Sequence, residues 1–392
     1  MSLPNVNIEF QNGALGGFAP MADGTCGLVV TAEQVGDSFR LNEPYPLRSV
    51  QDLKRLFVED YPPKTPLSSN AVLTAQVHEF FAEAGNGARL WIMAVPETQD
   101  IPMMLNPNNG AVRRLIEMTN GEIRALGVWS TNTGYDAPTA FLNAQQVADR
   151  ATDELFAPLF MLLPPGAANV PAAGFSALET NRVGIVEGNV NPDVPAIGLC
   201  LGRIARIPVH RHIGRVRDGR LRIPQAFFGD VPVSEQPQES LRLHELGAIT
   251  FRTFVGKSGY YYTDDNLATA HTDDFRSIAR RRTIDKAYRI AYQTLSEYIN
   301  EEIPITAQGT IVPAMAKSIE VELEAAIIAR MGAEGNLGTD PTDPTDTGVQ
   351  CEVDLTNNIA ATGRLNVVLR VKPYGYAKFI EVKLGFVRLT NN

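Results

Sequence analysis

The chain opens on a two-residue alternation. Val6, Ile8 and Phe10 fall on one side of an extended backbone and Asn5, Asn7 and Glu9 on the other, the period of a strand with one buried face. Asn12-Gly13 and Gly16-Gly17 then break it. A lone strand of this kind needs a hydrogen-bonding partner, in its own chain or in a neighbouring copy. From residue 26 to 208 the pattern becomes short apolar runs at 27–30, 90–95, 126–129, 159–163 and 183–186. Between them apolar residues recur at helical spacing: Val72, Val77, Phe80 and Phe81; Val112, Leu115, Ile116 and Met118; Phe141, Ala144, Val147 and Ala148. Strands alternating with helices predict an α/β fold, a doubly wound sheet with helices on both faces.

Beyond residue 240 the pattern shifts. Residues 241–247 read as a short helix closed by Gly247. A strand at 249–255, a turn at 256–259 and Tyr260-Tyr261-Tyr262 read as a hairpin. Two long helices follow. Asp273 and Asp274 suit the positive end of the first, which carries Phe275, Ile278, Tyr288, Ala291 and Leu295 to about residue 300. The second runs from 314 through Met315, Ile319, Leu323 and Ile327 to Gly332. The Thr-Asp-Pro repeat at 339–346 cannot continue either neighbouring element, so 333–348 is expected to be an exposed, disordered-type loop. Strands are expected at 349–355 and 364–371. The chain then ends as it began: Ile380, Val382, Leu384 and Phe386 on one face, Glu381 and Lys383 on the other.

Composition narrows the function classes. With 392 residues, two or three domains are expected, and 44% hydrophobic residues exclude wholesale disorder. A net charge of −9 argues against a nucleic-acid partner. Cys26, Cys200 and Cys351 show no CxxC spacing and suit buried thiols in a reducing compartment. The first residues lack the basic and apolar regions of a signal peptide, and no run approaches the ~18 apolar residues of a membrane span. Synthesis and assembly in the cytoplasm, without direct membrane insertion, are the expectation.

Candidate chemistry is sparse, and no catalytic, cofactor-binding or metal residue is assigned. Gly256-Lys257-Ser258 lacks the earlier glycine and the following helix of a phosphate loop, and reads as a hairpin turn. No GxGxxG or GxSxG follows the strands. His210 and His212 would share a face in a strand and could serve a metal, but no third ligand is evident and Arg206, Arg211, Arg215 and Arg217 would repel a cation. A solvated basic strand is the plainer reading; a cytoplasmic α/β enzyme with a metal site near His210/His212 is the alternative. Asp340, Asp343 and Asp346 lack the glycine and terminal glutamate of a calcium loop. One charged cluster stands out, Arg276, Arg280, Arg281, Arg282, Lys286 and Arg289 on the first long helix. It reads either as a solvated face with local pairs to Asp273, Asp274 and Asp285, or as an electrostatic contact with an acidic protein.

From about residue 241 to 387 the sequence resembles contractile tail sheath proteins of phage tails and contractile injection systems. The stretches that carry the resemblance are HELGAITFRTFVGKSGYYYTDD, DDFRSIARRRTIDKAYRIAYQTLSEYINEEIP and GRLNVVLRVKPYGYAKFIEVKLGFV, with LPNVNIEFQNGALGG at the start. The chain departs from many members in having Gly259-Tyr260-Tyr261-Tyr262-Thr263 after the hairpin strand. The resemblance implies a non-enzymatic subunit without cofactor, forming stacked hexameric rings in a helical homopolymer around an inner tube protein. Baseplate and tail-terminator proteins would be its other partners. Assembly in the bacterial cytoplasm would end in the tail sheath of a virion or phage-like particle. It implies an N-terminal arm at 1–20, a central domain at 21–240, a C-terminal α+β sheath domain at 241–375 and a β arm at 376–392. Val6, Ile8, Phe10, Ile380, Val382, Leu384 and Phe386 would join subunits by adding strands to neighbouring sheets. Arg276, Arg280, Arg281, Arg282, Lys286 and Arg289 would face the tube.

Overall fold

β1 (Cys26–Thr31) is an unbroken apolar run, as a strand covered on both faces must be, and all its residues are buried. The computed structural model in which it lies describes residues 22–64, 67–166, 174–191 and 194–384. Val6, Ile8, Phe10 and Phe386 lie outside the described residues. Around β1 stand β2 (Pro44–Leu47), β3 (Leu90–Val95), β4 (Ala125–Trp129), β5 (Phe160–Leu163) and β6 (Val183–Ile185), in the order β2-β3-β1-β4-β5-β6. All neighbours are parallel except β2, which runs antiparallel to β3. The sequence reading does not include β2. Its Pro44 and Pro46 lack amide hydrogens, which confines such a strand to an edge.

The helices of this layer are α1 (Val50–Leu56), α2 (Ser69–Ala84), α3 (Ile101–Met104), α4 (Ala111–Met118), α5 (Ala137–Leu155) and α6 (Ile197–Arg206). α3, α4 and α5 pack on one another, while α2 lies along α6. That second approach depends on Gly198 and Gly202, one turn apart on α6. A Cβ at either would strike a backbone carbonyl of α2, that of Gln76 or that of Phe80. Gly198→Ala is therefore expected to cost about 1–3 kcal/mol through overpacking, read as a lower urea midpoint with an unchanged slope.

The same helix pair holds a buried ion pair. Glu83 and Arg203 have side chains 0% and 1% exposed. Glu83 accepts from Arg203 Nη1 at 2.8 Å, Arg206 Nη1 at 3.1 Å and the Arg222 amide at 2.8 Å. Arg203 also donates from Nε to Ile213 O at 3.1 Å and from Nη2 to Gly219 O at 2.8 Å. Charges are tolerated so deep only when every lone pair and hydrogen has a partner.

A small sheet follows in the order β10-β9-β7-β8, built from β7 (Asn189–Asn191), β8 (Val194–Pro195), β9 (Phe227–Phe228) and β10 (Val231–Pro232). Then come α7 (Pro237–Glu245), the hairpin of β11 (Phe251–Phe254) and β12 (Lys257–Tyr262), and α8 (Ile278–Leu295). The hairpin turns at Val255-Gly256, not across 256–259. Gly259 lies inside β12 at φ +84°, where the register of the pair shifts, a conformation glycine adopts without penalty. α8 begins later than its periodicity suggests. Asp273 is spent on a local turn, accepting from the Phe275 amide at 2.8 Å. Asp265 instead serves the helix start, accepting from the Ala279 amide at 3.1 Å and from Ser277 Oγ at 2.7 Å.

The chain divides into two units at Ile299/Asn300, while the sequence reading places a boundary at 240/241. The hairpin and α8 belong to the first unit because α8 is bound into it. Ile278, Ala279, Ala287 and Ile290 are buried, and Asp285 bridges Arg281 and Arg182. The second unit holds α9 (Pro313–Ile327), extended by one wider turn to Gly332, then β13 (Val349–Val353), α10 (Ile359–Thr362) and β14 (Val367–Val371). The loop at 333–348 contains turns closed by its own aspartates. Asp340 accepts from the Thr342 amide at 2.8 Å, Asp343 from that of Thr345 at 2.9 Å, and Asp346 from that of Gly348 at 3.0 Å.

Candidate functional site

The second unit carries a two-stranded sheet with one open edge among the described residues. β13 and β14 pair antiparallel, Val349 with Val371 and Val353 with Val367. Lys372 and Asp354 donate to Gly348 and Asn366, so the even-numbered residues of the two strands carry the ladder. The odd-numbered residues point their backbone groups to the outer edges. On β13 that edge is already occupied: Glu324 Oε1 accepts from the Cys351 amide at 2.8 Å, and Glu320 Oε1 from the Val353 amide at 2.9 Å. These two glutamates are one turn apart on α9, which packs along β13. On β14 the edge formed by Val367, Leu369 and Val371 pairs with no strand among the described residues. Their half-buried side chains share one face, and the exposed Val368 and Arg370 share the other.

Past β14 the chain leaves the sheet. Residues 373–384 form no strand among the described residues. Ile380, Val382 and Leu384 are 80%, 78% and 96% exposed, and Phe379 is 87% exposed. An alternating apolar segment so exposed is the kind of surface that marks an interaction site.

The basic helix is arranged otherwise than expected. Arg281, Arg282 and Lys286 are buried and Arg289 nearly so, whereas the sequence reading sets them on a contact face. Lys286 Nζ and Arg289 Nη2 hold the two oxygens of Asp23 at 2.8 and 2.6 Å. Burial works against the Asp23 charge, but Arg289 and Lys286 outweigh it and hold the carboxyl below its ordinary value. This stabilisation is present above the unfolded pKa of Asp23 and is lost as pH falls through its lowered folded value. Arg282 donates to Ile207 O at 3.2 Å and Pro208 O at 3.3 Å, and burial pushes its guanidinium down to about 10. Arg276 and Arg280 remain half-buried. The cluster's cations mostly neutralise and anchor neighbouring chain segments, one of them next to the N-terminal residues.

His210 and His212 lie in turns, not in a strand. His210 is lowered to about 4, by burial first and then by Arg211 and further cations. Two carboxylates distant in sequence meet one of these histidines: His212 Nε2 lies 3.0 Å from Asp264 Oδ1 and 3.1 Å from Asp265 Oδ1, a group that does not include His210. Asp264 and Asp265 end the YYYTDD stretch, and only folding brings them to residue 212. Yet the polarity is wrong for a metal. Gly214 directs its amide at His212 Nδ1 from 3.0 Å. A ring that ligates through Nε2 keeps its proton on Nδ1, where it would meet that amide hydrogen. Burial opposes charge on this ring while the two carboxylates pull it up to about 9. The Nε2 hydrogen is turned to the aspartates. The cluster is a tie between the 210–214 turns and the start of α8.

At the carboxyl ends of the strands, where the order reverses about β1, hydroxyls bond to one another and to the backbone; Thr31 Oγ1 donates to Thr131 Oγ1 at 3.2 Å. Thr31 Oγ1 accepts from the Thr131 amide at 2.9 Å, and Ser130 Oγ donates to Gln99 O at 2.7 Å. No helix among the described residues is long and apolar enough to cross a membrane.

The sequence matches the family described as DUF2586, N-terminal domain, over residues 3–266, and DUF2586, C-terminal domain, over residues 274–390. No curated protein matches it. Among solved structures, a chain of the anti-feeding prophage (AFP) baseplate, 6-fold symmetrised, superposes with a TM-score of 0.65 at 17% identity, over 99% of this chain and 100% of that one. A chain of an extracellular contractile injection system, the PVC sheath complex in contracted state, gives 0.62 at 13% identity over 98% of each. A chain of the AFP baseplate in contracted state gives 0.59 at 15% identity, again over 98% of each. The chain thus has a fold found in contractile injection systems, from end to end.

Proposed function

This chain belongs to the DUF2586 family, and from that premise and its fold we propose that it is a structural subunit of a contractile sheath, without catalytic activity. The observation that carries this reading is the likeness to a chain of a contracted sheath complex over 98% of both chains. A shared enzyme core would match over one domain. Here the correspondence spans both units and the connecting segments.

The subunits would polymerise as stacked hexameric rings around an inner tube, joined through their end segments. Residues 378–384 of one copy suit the open edge of β14 in another. An added strand can place Ile380, Val382 and Leu384 on the face of Val367, Leu369 and Val371, which sets Glu381 on the face of Arg370. Backbone hydrogen bonds supply the affinity of such augmentation and the alternating side chains its register. The N-terminal segment would join a further copy. Contraction would be a one-way shift from a metastable lattice to one burying more interface. For the inner tube, Arg280 on α8 and Arg276 just before it are the members of the basic cluster with surface to offer.

Electron microscopy of the purified protein tests the proposal. Tubes or stacked rings are the expected result. Uniform single particles at high concentration, with and without tube protein, would refute it.

A further inference from the structure

The two edges of the β13–β14 sheet are not equivalent, although both expose the backbone of a short β-branched strand. A strand edge recruits partners through unpaired amides and carbonyls. Of the outward amides of β13, those of Cys351 and Val353 are satisfied by Glu324 and Glu320 at 2.8 and 2.9 Å, and that of Val349 donates to Thr347 Oγ1 at 3.4 Å. These carboxylates are themselves held. Both lie on the face of α9 that packs on β13, and Lys317 Nζ sits 3.0 Å from Glu320 Oε2. The Glu320 side chain is only 15% exposed. The Val353 amide, then Lys317, keeps the Glu320 carboxyl below its ordinary value, which makes its charged, accepting form the resident one.

An incoming strand on β13 would have to break two charge-assisted hydrogen bonds and leave two carboxylates beside its own carbonyls. β14 makes no such demand. We propose that Glu320 and Glu324 are an edge guard: they close β13 to strand addition, so the sheet accepts residues 378–384 of a second copy at β14 alone. This rests on the arm-exchange reading above and adds to it the choice of edge. One acceptor edge per sheet gives each copy a single arm-binding site, the condition for a closed lattice rather than branching aggregation.

The test uses the full-length chain and two readouts. The first is hydrogen exchange in freshly isolated monomer. Glu320→Ala with Glu324→Ala should speed exchange at the Cys351 and Val353 amides at least tenfold, while Glu320→Gln with Glu324→Gln, whose amide oxygens still accept, should largely retain protection. Unchanged exchange in the alanine variant would overturn the guard, whatever the arms do. The second is cross-linking in assembled protein. Lys383→Cys is paired in separate experiments with Val368→Cys on β14 and Glu352→Cys on β13. Cross-links to 368 alone in the otherwise native chain, and to both positions in the alanine variant, are expected. Links to 352 in the otherwise native chain would overturn the inference and leave arm exchange standing. Links to neither position would remove arm exchange and the inference with it.

Discussion

Deleting residues 378–392 should abolish polymerisation and leave the fold intact. Phe379, Ile380, Val382 and Leu384 are mostly exposed and pair with no strand among the described residues, so their loss removes little area buried among those residues. Surface changes of that kind shift stability by about 0.5 kcal/mol or less. Loss of a strand-donating arm, by contrast, removes every backbone hydrogen bond of the junction at once. The truncated chain is expected to sediment as one small species and to melt with the full-length monomer. Normal filaments from it would show that the end segment has no part in assembly. A lowered melting temperature would show that the segment serves its own unit.

The largest effect on stability is expected at Glu83. Glu83→Ala leaves the Arg203 guanidinium buried without its counter-charge and the Arg222 amide without an acceptor. Removing one partner of a buried pair costs about 3–5 kcal/mol, a large part of the total stability of an ordinary domain. The unfolding midpoint in urea should fall accordingly. Replacing both partners, Glu83→Met with Arg203→Met, should recover much of the loss, because no buried charge then remains. A mild effect of Glu83→Ala alone would mean that water reaches Arg203.

The residues also show what patterning can and cannot reveal. The apolar runs at 27–30, 90–95 and 126–129 are strands because a strand buried on both faces tolerates little else. β2 escaped notice because its two prolines read as loop, and the small sheet escaped because its strands have two or three residues each. For the basic helix, spacing identified the helix but not its orientation. Charged residues usually face water, and nothing in the local sequence shows that Asp23 waits for Lys286 and Arg289 from more than 260 positions away. A carboxylate isolated among apolar residues just before a buried strand was the available signal.

By itself the sequence determined the α/β alternation, the two alternating end segments, the absence of recognisable catalytic motifs and the resemblance to sheath proteins. All of these are periodic or local properties, written in consecutive residues. The tertiary structure alone decided which cations turn inward, that His212 meets two aspartates, and which edge of the last sheet stands open among the described residues. Each of those depends on groups distant in the chain meeting at fixed distances, and a hydrogen-bond donor is open or closed only by what the fold brings to it.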